Sequence, residues 1–238
     1  MRRLGVGVVV VLSAGLGAAP ALAAEASDVQ SFCTASAAVD KEFSKDKPRV
    51  AKINRLLDRL AQTAPPEIAE PVRVAVPAFK GNPETAFEDP AVAAAVQRIE
   101  EFEYAQCTDA QVDVTLQDFA FVGVPDQVAQ GKVGFRLVNE GAEFHEFIVF
   151  RLKGDDSLSE ILELPRREAA KSLSEVGSGF VEPGATSYAA IELNKAGRYG
   201  AVCFLPVGST DEEAAQQAEE ADAAPHYAEG MLIEFQVS

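Results

Sequence analysis

The stretch KVGFRLVNEGAEFHEFIVFRL, residues 132–152, decides the fold of the C-terminal half of this 238-residue chain. In its first part, Val133, Phe135 and Leu137 alternate with other residues, as in a β-strand with one buried face. A glycine-containing turn follows, and residues 145–152 form a second apolar run of strand length. The stretch therefore predicts two consecutive β-strands.

The period of two continues towards the C-terminus, where turn residues such as Glu182-Pro183-Gly184 separate the apolar segments. Short strands with such turns predict an all-β Greek-key sandwich over residues 110–238. We expect two insertions in this domain, a helical one near 157–176 and an acidic one near 206–224. Further strands are predicted at Ala185–Leu193, Arg198–Phe204 and Met231–Val237.

Residues 25–109 have a helical period instead, with apolar residues recurring at steps of three and four. Asp89-Pro90 predicts the start of the last helix, because aspartate caps a helix and proline is favoured at its first position. Pro71 and Pro77 are expected to kink or split the preceding helix. The sequence thus predicts a small α-helical domain before the sandwich.

The N-terminus has the layout of a cleavable signal peptide, residues 1–24. Basic residues precede an apolar run, and the small residues Ala21 to Ala24 resemble a cleavage region. The run is too short for a transmembrane helix, so we expect no membrane span. The predicted protein is exported, either periplasmic or extracellular.

Three cysteines are present, and two of them, Cys33 and Cys107, lie at the two ends of the helical half. An oxidising compartment favours their pairing, so we predict a Cys33–Cys107 disulfide. Cys203 is then left unpaired. An unpaired thiol in an exported protein is either buried and inert or bound to a metal.

The formal net charge of the chain is −16, and removal of the predicted signal peptide with its two arginines makes it more negative. Such a polyanion is repelled by nucleic acid and by anionic membranes. A basic protein partner is attracted. The acidity is equally compatible with a role in solubility alone.

The chain contains two histidines, His145 and His226. Strand alternation places His145, Cys203 and Met231 on faces that point into the predicted sandwich. Two imidazoles, a thiolate and a weak thioether form the ligand set of a blue-copper site. Zinc also binds Cys and His, but a thioether ligand favours copper.

Three blocks in this half resemble the cupredoxin family. They are NEGAEFH at 139–145, GRYGAVC at 197–203 and PHYAEGM at 225–231. The first is similar to the first-histidine segment of the family, the second to its cysteine strand, and the third keeps the spacing between its second histidine and its methionine. The resemblance extends over about residues 112–238.

This resemblance implies one type 1 copper with His145, Cys203 and His226 as equatorial ligands and Met231 as the axial ligand. It also implies that Asn139 ties the ligand loops together. One departure from the family is that 22 residues lie between Cys203 and His226, where only a few residues are usual. The inserted segment either bulges out and leaves the ligands together, or it marks a loop that no longer holds metal.

The resemblance predicts an exported protein for one-electron transfer, acting with a basic redox protein. Two alternatives are a copper carrier or buffer without electron transfer and a metal-free interaction module. An enzyme is not expected, because copper oxidases need further histidine-rich centres and the two histidines already belong to one site.

Overall fold

The computed structural model describes residues 19–45 and 47–238. Most of the predicted signal peptide, residues 1–18, lies outside this part. The helical half consists of α1 (Ala19–Phe43), α2 (Val50–Thr63), α3 (Ala69–Gly81), a 3₁₀ helix (Ala86–Glu88) and α4 (Pro90–Gln106). None of the helices in the described part has both the length and the apolar character that crossing a bilayer demands.

The predicted start of α4 is confirmed. Asp89 is its N-cap, and the side chain of Asp89 accepts a hydrogen bond of 2.9 Å from the backbone N–H of Ala91. The prolines do not split α3, which is one helix from Ala69 to Gly81. Pro71 lies in the first turn, where backbone N–H groups have no partner within the helix, and Pro77 lies inside the helix.

The predicted disulfide is confirmed, because Cys33 of α1 is bonded to Cys107 directly after α4. Cys203 is free and buried. The helices pack around a core to which α1 contributes Phe32, α2 contributes Ile53 and Leu57, and α3 contributes Val72. Burial of one apolar side on each helix explains the period of three and four in this half.

The C-terminal half is a sandwich of two sheets, with strand orders β2-β1-β4-β7 and β3-β9-β8-β5-β6. The strands are β1 (Ala110–Gln117), β2 (Ala120–Val122), β3 (Gln127–Val128), β4 (Gly131–Asn139), β5 (His145–Leu152), β6 (Leu173–Val181), β7 (Thr186–Leu193), β8 (Gly197–Val202) and β9 (Leu232–Val237). Phe135 and Leu137 of β4 and Phe147 of β5 are fully buried between the sheets. The two strands predicted from residues 132–152 are therefore confirmed.

The helical segment after β5 is shorter than predicted. It comprises α5 (Leu158–Glu163) and α6 (Arg166–Ser172), and β6 already begins at Leu173. An added Cβ on Gly177 of β6 would lie 2.9 Å from the side chain of Ile191, and one on Gly179 would overlap Leu137. These glycines let β6 approach the other sheet closely, but they also remove the alternation that would have predicted a strand.

Candidate metal centre

Four buried residues come together from separate segments of the sandwich. His145 is the first residue of β5, Cys203 directly follows β8, and His226 begins a 3₁₀ helix that ends at Glu229. Met231 directly precedes β9. The exposed fraction of each of these four residues is 0%.

The ligand atoms of His145, Cys203 and His226 all lie within 4.8 Å of one another. The Nδ1 atoms of the two imidazoles are 3.2 Å apart, and the Sγ of Cys203 is 3.3 Å from the Nδ1 of His226. The backbone of Met231 is bonded to both His226 and Cys203, because its N–H donates to the His226 carbonyl at 3.0 Å and its carbonyl accepts from Cys203 at 3.2 Å. The structure thus brings the three predicted equatorial residues into one cluster and places Met231 beside them in the chain fold.

The acidic insertion is closed at its base. Pro206 and Pro225 form an antiparallel bridge, and the N–H of Val207 donates to the carbonyl of Ala224 at 2.8 Å. Beyond this closure, α7 (Glu212–Glu220) extends with exposed acidic side chains. The segment therefore bulges out and leaves Cys203 and His226 together, which is the first of the two alternatives.

Asn139 holds the turn before His145 against the end of β6, whereas the resemblance implied that it ties the ligand loops together. Its Nδ2 donates to the carbonyls of Glu143 at 2.8 Å and Val181 at 3.1 Å, and its Oδ1 accepts from the N–H of Gly141 at 2.8 Å. The buried side-chain amide of Asn139 makes three hydrogen bonds, which fix this turn against the end of β6.

The donor set fits copper chemically. Two imidazole nitrogens and a thiol sulfur converge in a water-excluded interior, and soft sulfur with imidazole is the ligand combination of blue-copper sites. The backbone N–H of Glu146 donates to the Sγ of Cys203 at 3.3 Å, a contact that favours the thiolate form.

No protein-family model matches the chain, and no curated protein matches it. Among solved structures it is similar to auracyanin B, with 13% identity and a TM-score of 0.34 over 55% of this chain and 90% of that one. Auracyanin from Roseiflexus castenholzii is 15% identical, with a TM-score of 0.33 over 54% of this chain and 96% of that one. Auracyanin A, a "blue" copper protein from Chloroflexus aurantiacus, is 16% identical, with a TM-score of 0.31 over 54% of this chain and 99% of that one. Parts of multicopper oxidases also match, with TM-scores of 0.31 or lower.

The two-sheet sandwich and its buried His–Cys–His cluster decide the fold assignment. The C-terminal half has a cupredoxin-like fold.

Two carboxylates of this cupredoxin-like domain hold the outer nitrogens of the histidines, and sequence reasoning missed both. The Oδ1 of Asp118 lies 2.9 Å from the Nε2 of His145, and the Oε2 of Glu143 lies 3.0 Å from the Nε2 of His226. A carboxylate on one ring nitrogen fixes the orientation and the tautomer of the imidazole, so that the other nitrogen faces the metal site. The sequence could have pointed to Glu143, because this residue lies in the block 139–145 that resembles the family. Asp118 lies outside all three blocks, and no sequence feature pointed to it.

Glu143 also connects the cluster to the base of the insertion. The same Oε2 atom accepts hydrogen bonds from the N–H groups of Gly208 at 2.6 Å and Ser209 at 2.9 Å. The ring of Phe119 covers His226, with ring centroids 4.7 Å apart. These contacts explain why His226 is buried although it lies next to a long insertion.

Burial determines the protonation of the metal-free cluster. Desolvation lowers the pKa of His145, although its bond to Asp118 acts in the opposite direction. Desolvation raises the pKa of Cys203 to about 12, against the effect of the backbone N–H groups of Glu146 and Leu205. Without metal the cluster therefore holds a neutral imidazole at His145 and a protonated thiol, and a metal must displace the thiol proton.

Proposed function

We propose that the cupredoxin-like domain binds one type 1 copper ion and carries single electrons. His145, Cys203 and His226 are the equatorial ligands, and Met231 is the axial ligand. The observation that supports this proposal best is the convergence of two imidazoles and a thiol in the dry interior of a sandwich. A copper ion in such a ligand set supplies a reversible one-electron couple.

The surrounding residues suit electron transfer because they keep the ligands in one arrangement. Asp118 and Glu143 hold the imidazoles from outside, and the N–H of Glu146 stabilises the sulfur. Ligands held by rigid strands and by further hydrogen bonds reorganise little when their charge environment changes. Fast transfer requires this property.

A copper carrier is less compatible with these contacts. Release of the ion to another protein requires access to the ligands, whereas His145, Cys203, His226 and Met231 are all fully buried. We therefore infer that electrons rather than the ion pass between this domain and its partner.

The proposal includes export and a basic redox protein as the partner. Export agrees with the disulfide and with the predicted signal peptide. The exposed acidic side chains of the insertion give a basic partner a complementary surface. We propose no enzymatic activity, because the two histidines of the sequence leave none for a further copper centre.

Titration of the metal-free protein with copper(II) tests the proposal. We expect about one equivalent to bind, with the intense visible absorption of a copper–thiolate bond. Cys203→Ser should abolish this absorption, whereas Met231→Leu should retain it and shift the reduction potential. Circular dichroism of both variants controls for folding.

Two outcomes would contradict the proposal. Copper binding without the visible band would exclude the blue-copper site. A blue protein without reversible one-electron reduction would favour storage of the ion over electron transfer.

A further inference from the structure

The helical domain contains a cavity of about 650 Å³ between its helices. Voids in packed protein interiors are rarely larger than a water molecule, whereas cavities of this volume are typical of small-molecule sites. Side chains of α1, α2, α3 and α4 contribute to its wall, which is mainly apolar; examples are Val39, Ile53, Leu57, Val76, Phe79 and Ile99.

Two apolar side chains in the cavity wall are exposed to solvent. Val50 is 67% exposed and Phe87 is 56% exposed, and both belong to the cavity wall. The ring of Phe79 contacts that of Phe87, with centroids 5.2 Å apart. The wall of the cavity therefore reaches the solvent at apolar side chains.

The wall also contains a cluster of acidic side chains. Asp40 of α1, Glu84 after α3, and Glu100 and Glu103 of α4 contribute carboxyl groups, and Ser36 donates a hydrogen bond to Glu103. No lysine, arginine or histidine belongs to the described wall of the cavity. The nearest basic influence on Asp40 and Glu103 comes from Lys132 of β4.

We propose that this cavity binds an apolar amine. The aliphatic or aromatic body of the ligand occupies the apolar part, and its ammonium group meets Glu103 and Glu100. Two features of the wall specify this chemistry. Its area is mainly apolar, and the charged groups in it are all acidic, so a ligand with an apolar body and a cationic head group complements it best.

The electrostatics of the carboxyl groups agree with this assignment. Burial raises the pKa of Glu100 and Glu103 to about 7. Repulsion from Glu103 and Asp40 adds to the rise for Glu100, and repulsion from Asp40 adds to it for Glu103, where Ser36 and Lys132 oppose it. A ligand cation would relieve both costs, because its charge stabilises carboxylates that water solvates only in part. The inference goes beyond electron transfer and does not depend on copper, since the cavity belongs to the helical domain.

Calorimetry with three ligands of equal chain length tests it on the full protein. At about pH 8, where an alkylamine is charged, octylamine should bind at least about tenfold more tightly than octanol. Octanoate should bind most weakly, because its carboxylate would meet a wall whose charged groups are all acidic. The ratio of amine to alcohol measures the contribution of the carboxyl groups apart from that of the apolar wall.

Two variants of α4 form a matched pair. Glu103→Gln should reduce the ratio of amine affinity to alcohol affinity to near one. The amide oxygen of the glutamine can still accept the hydrogen bond from Ser36. Glu101→Gln is the control, because Glu101 is exposed and does not belong to the cavity wall. Val96→Phe should weaken the binding of all three ligands, since it fills the space.

Equal affinity for amine and alcohol in the unmodified protein would overturn the proposal, and so would the absence of binding. An amine preference that survives in Glu103→Gln would overturn the role of that carboxyl group. If this variant does not fold by circular dichroism, the ratio in the unmodified protein decides. Copper-loaded and copper-free protein should give the same ratio.

Discussion

The Oε2 of Glu143 lies 3.0 Å from the Nε2 of His226, and the same atom holds the N–H groups of Gly208 and Ser209. A single carboxylate oxygen thus joins a proposed copper ligand to the base of the acidic insertion. Asp118 contacts the other imidazole in the same way, and its Oδ2 accepts from the N–H of Ala142 at 2.8 Å. Both histidines are therefore oriented from outside by a carboxylate that is itself held in place.

Replacement of Glu143 by Gln should raise the reduction potential of the copper protein. A carboxylate on the outer nitrogen makes the imidazole a stronger donor, which favours copper(II) over copper(I). If the variant loses tenfold in affinity for the oxidised ion alone, the potential rises by about 59 mV. Voltammetry of the purified protein measures the shift, and the visible band should remain.

Glu140→Gln is the matched control for this substitution, because Glu140 is exposed in the same turn. A shift of equal size in both variants would mean that the loss of one surface charge explains it. In that case Glu143 would have no specific effect on the imidazole.

Substitution of Gly141 by Ala should disturb the pair of Asp118 and His145. An added Cβ would lie 2.8 Å from the Nε2 of His145 and would overlap the carboxylate of Asp118. We expect a loss of about 1 to 3 kcal/mol in the free energy of unfolding. The reduction potential should move in the same direction as in Asp118→Asn, because both changes weaken the hydrogen bond between Asp118 and His145.

Thermal unfolding and voltammetry check this prediction. Gly81→Ala is a suitable control, since nothing lies within 4 Å of a Cβ at that position. An unchanged unfolding midpoint and an unchanged reduction potential in Gly141→Ala would contradict the prediction, because they would show that the turn accommodates the added Cβ.

Neutralisation of the insertion should flatten the salt dependence of electron transfer. Glu212, Glu213 and Glu220 are exposed on α7, so Gln at these positions removes three charges without removing the cap at Asp211. Association with a basic c-type cytochrome, measured by stopped flow, should slow at low ionic strength and respond less to added salt. The visible spectrum should not change.

The control neutralises three exposed acids of the helical domain, namely Glu67, Glu88 and Glu101. Both variants have the same net charge, so a difference between them reports the position of the charges. Equal rates in the two variants would place the docking surface elsewhere.

Loss of the disulfide should destabilise the helical domain. Cys33 and Cys107 are 74 residues apart, and closing a loop of this length stabilises the folded state by about 4.5 kcal/mol in the loop-entropy model. Cys33→Ser combined with Cys107→Ser should therefore lower the unfolding midpoint of the helices. Thiol titration of the denatured, metal-free parent protein should find one free thiol, that of Cys203, and a different count would contradict the pairing.

The stability of the helical domain should decrease between about pH 4.5 and 7 because of Glu103. Burial raises the pKa of Glu103 from its ordinary 4.5 to about 7, with repulsion from Asp40 adding to the rise and Ser36 and Lys132 opposing it. In this range the folded state retains a proton that the unfolded chain releases, so unfolding becomes more favourable as the pH rises. The effect is at most about 3 kcal/mol.

Glu103→Gln does not titrate and should remove this part of the pH dependence. Urea unfolding of the metal-free protein, followed by the helical circular dichroism signal, measures the slope for this variant and for Glu101→Gln. Identical slopes in the two variants would refute the assignment.

Several features of the protein follow from local sequence alone. Alternation at Val133, Phe135 and Leu137 predicted β4, because every second side chain of a strand faces the same side. The same rule placed His145 and Cys203 in the interior. Asp89 and Pro90 predicted the start of α4, since a helix terminus exposes N–H groups that only particular residues satisfy.

Tertiary structure decided the features that depend on residues distant in the chain. Strand β6 was not predictable, because its glycines are explained by the opposite sheet and not by their neighbours in sequence. Asp118 reaches His145 across 27 residues, and no periodicity carries that information. Local periods report which side of an element is buried, whereas the partner of each side chain depends on how the two sheets and the insertion fold against one another.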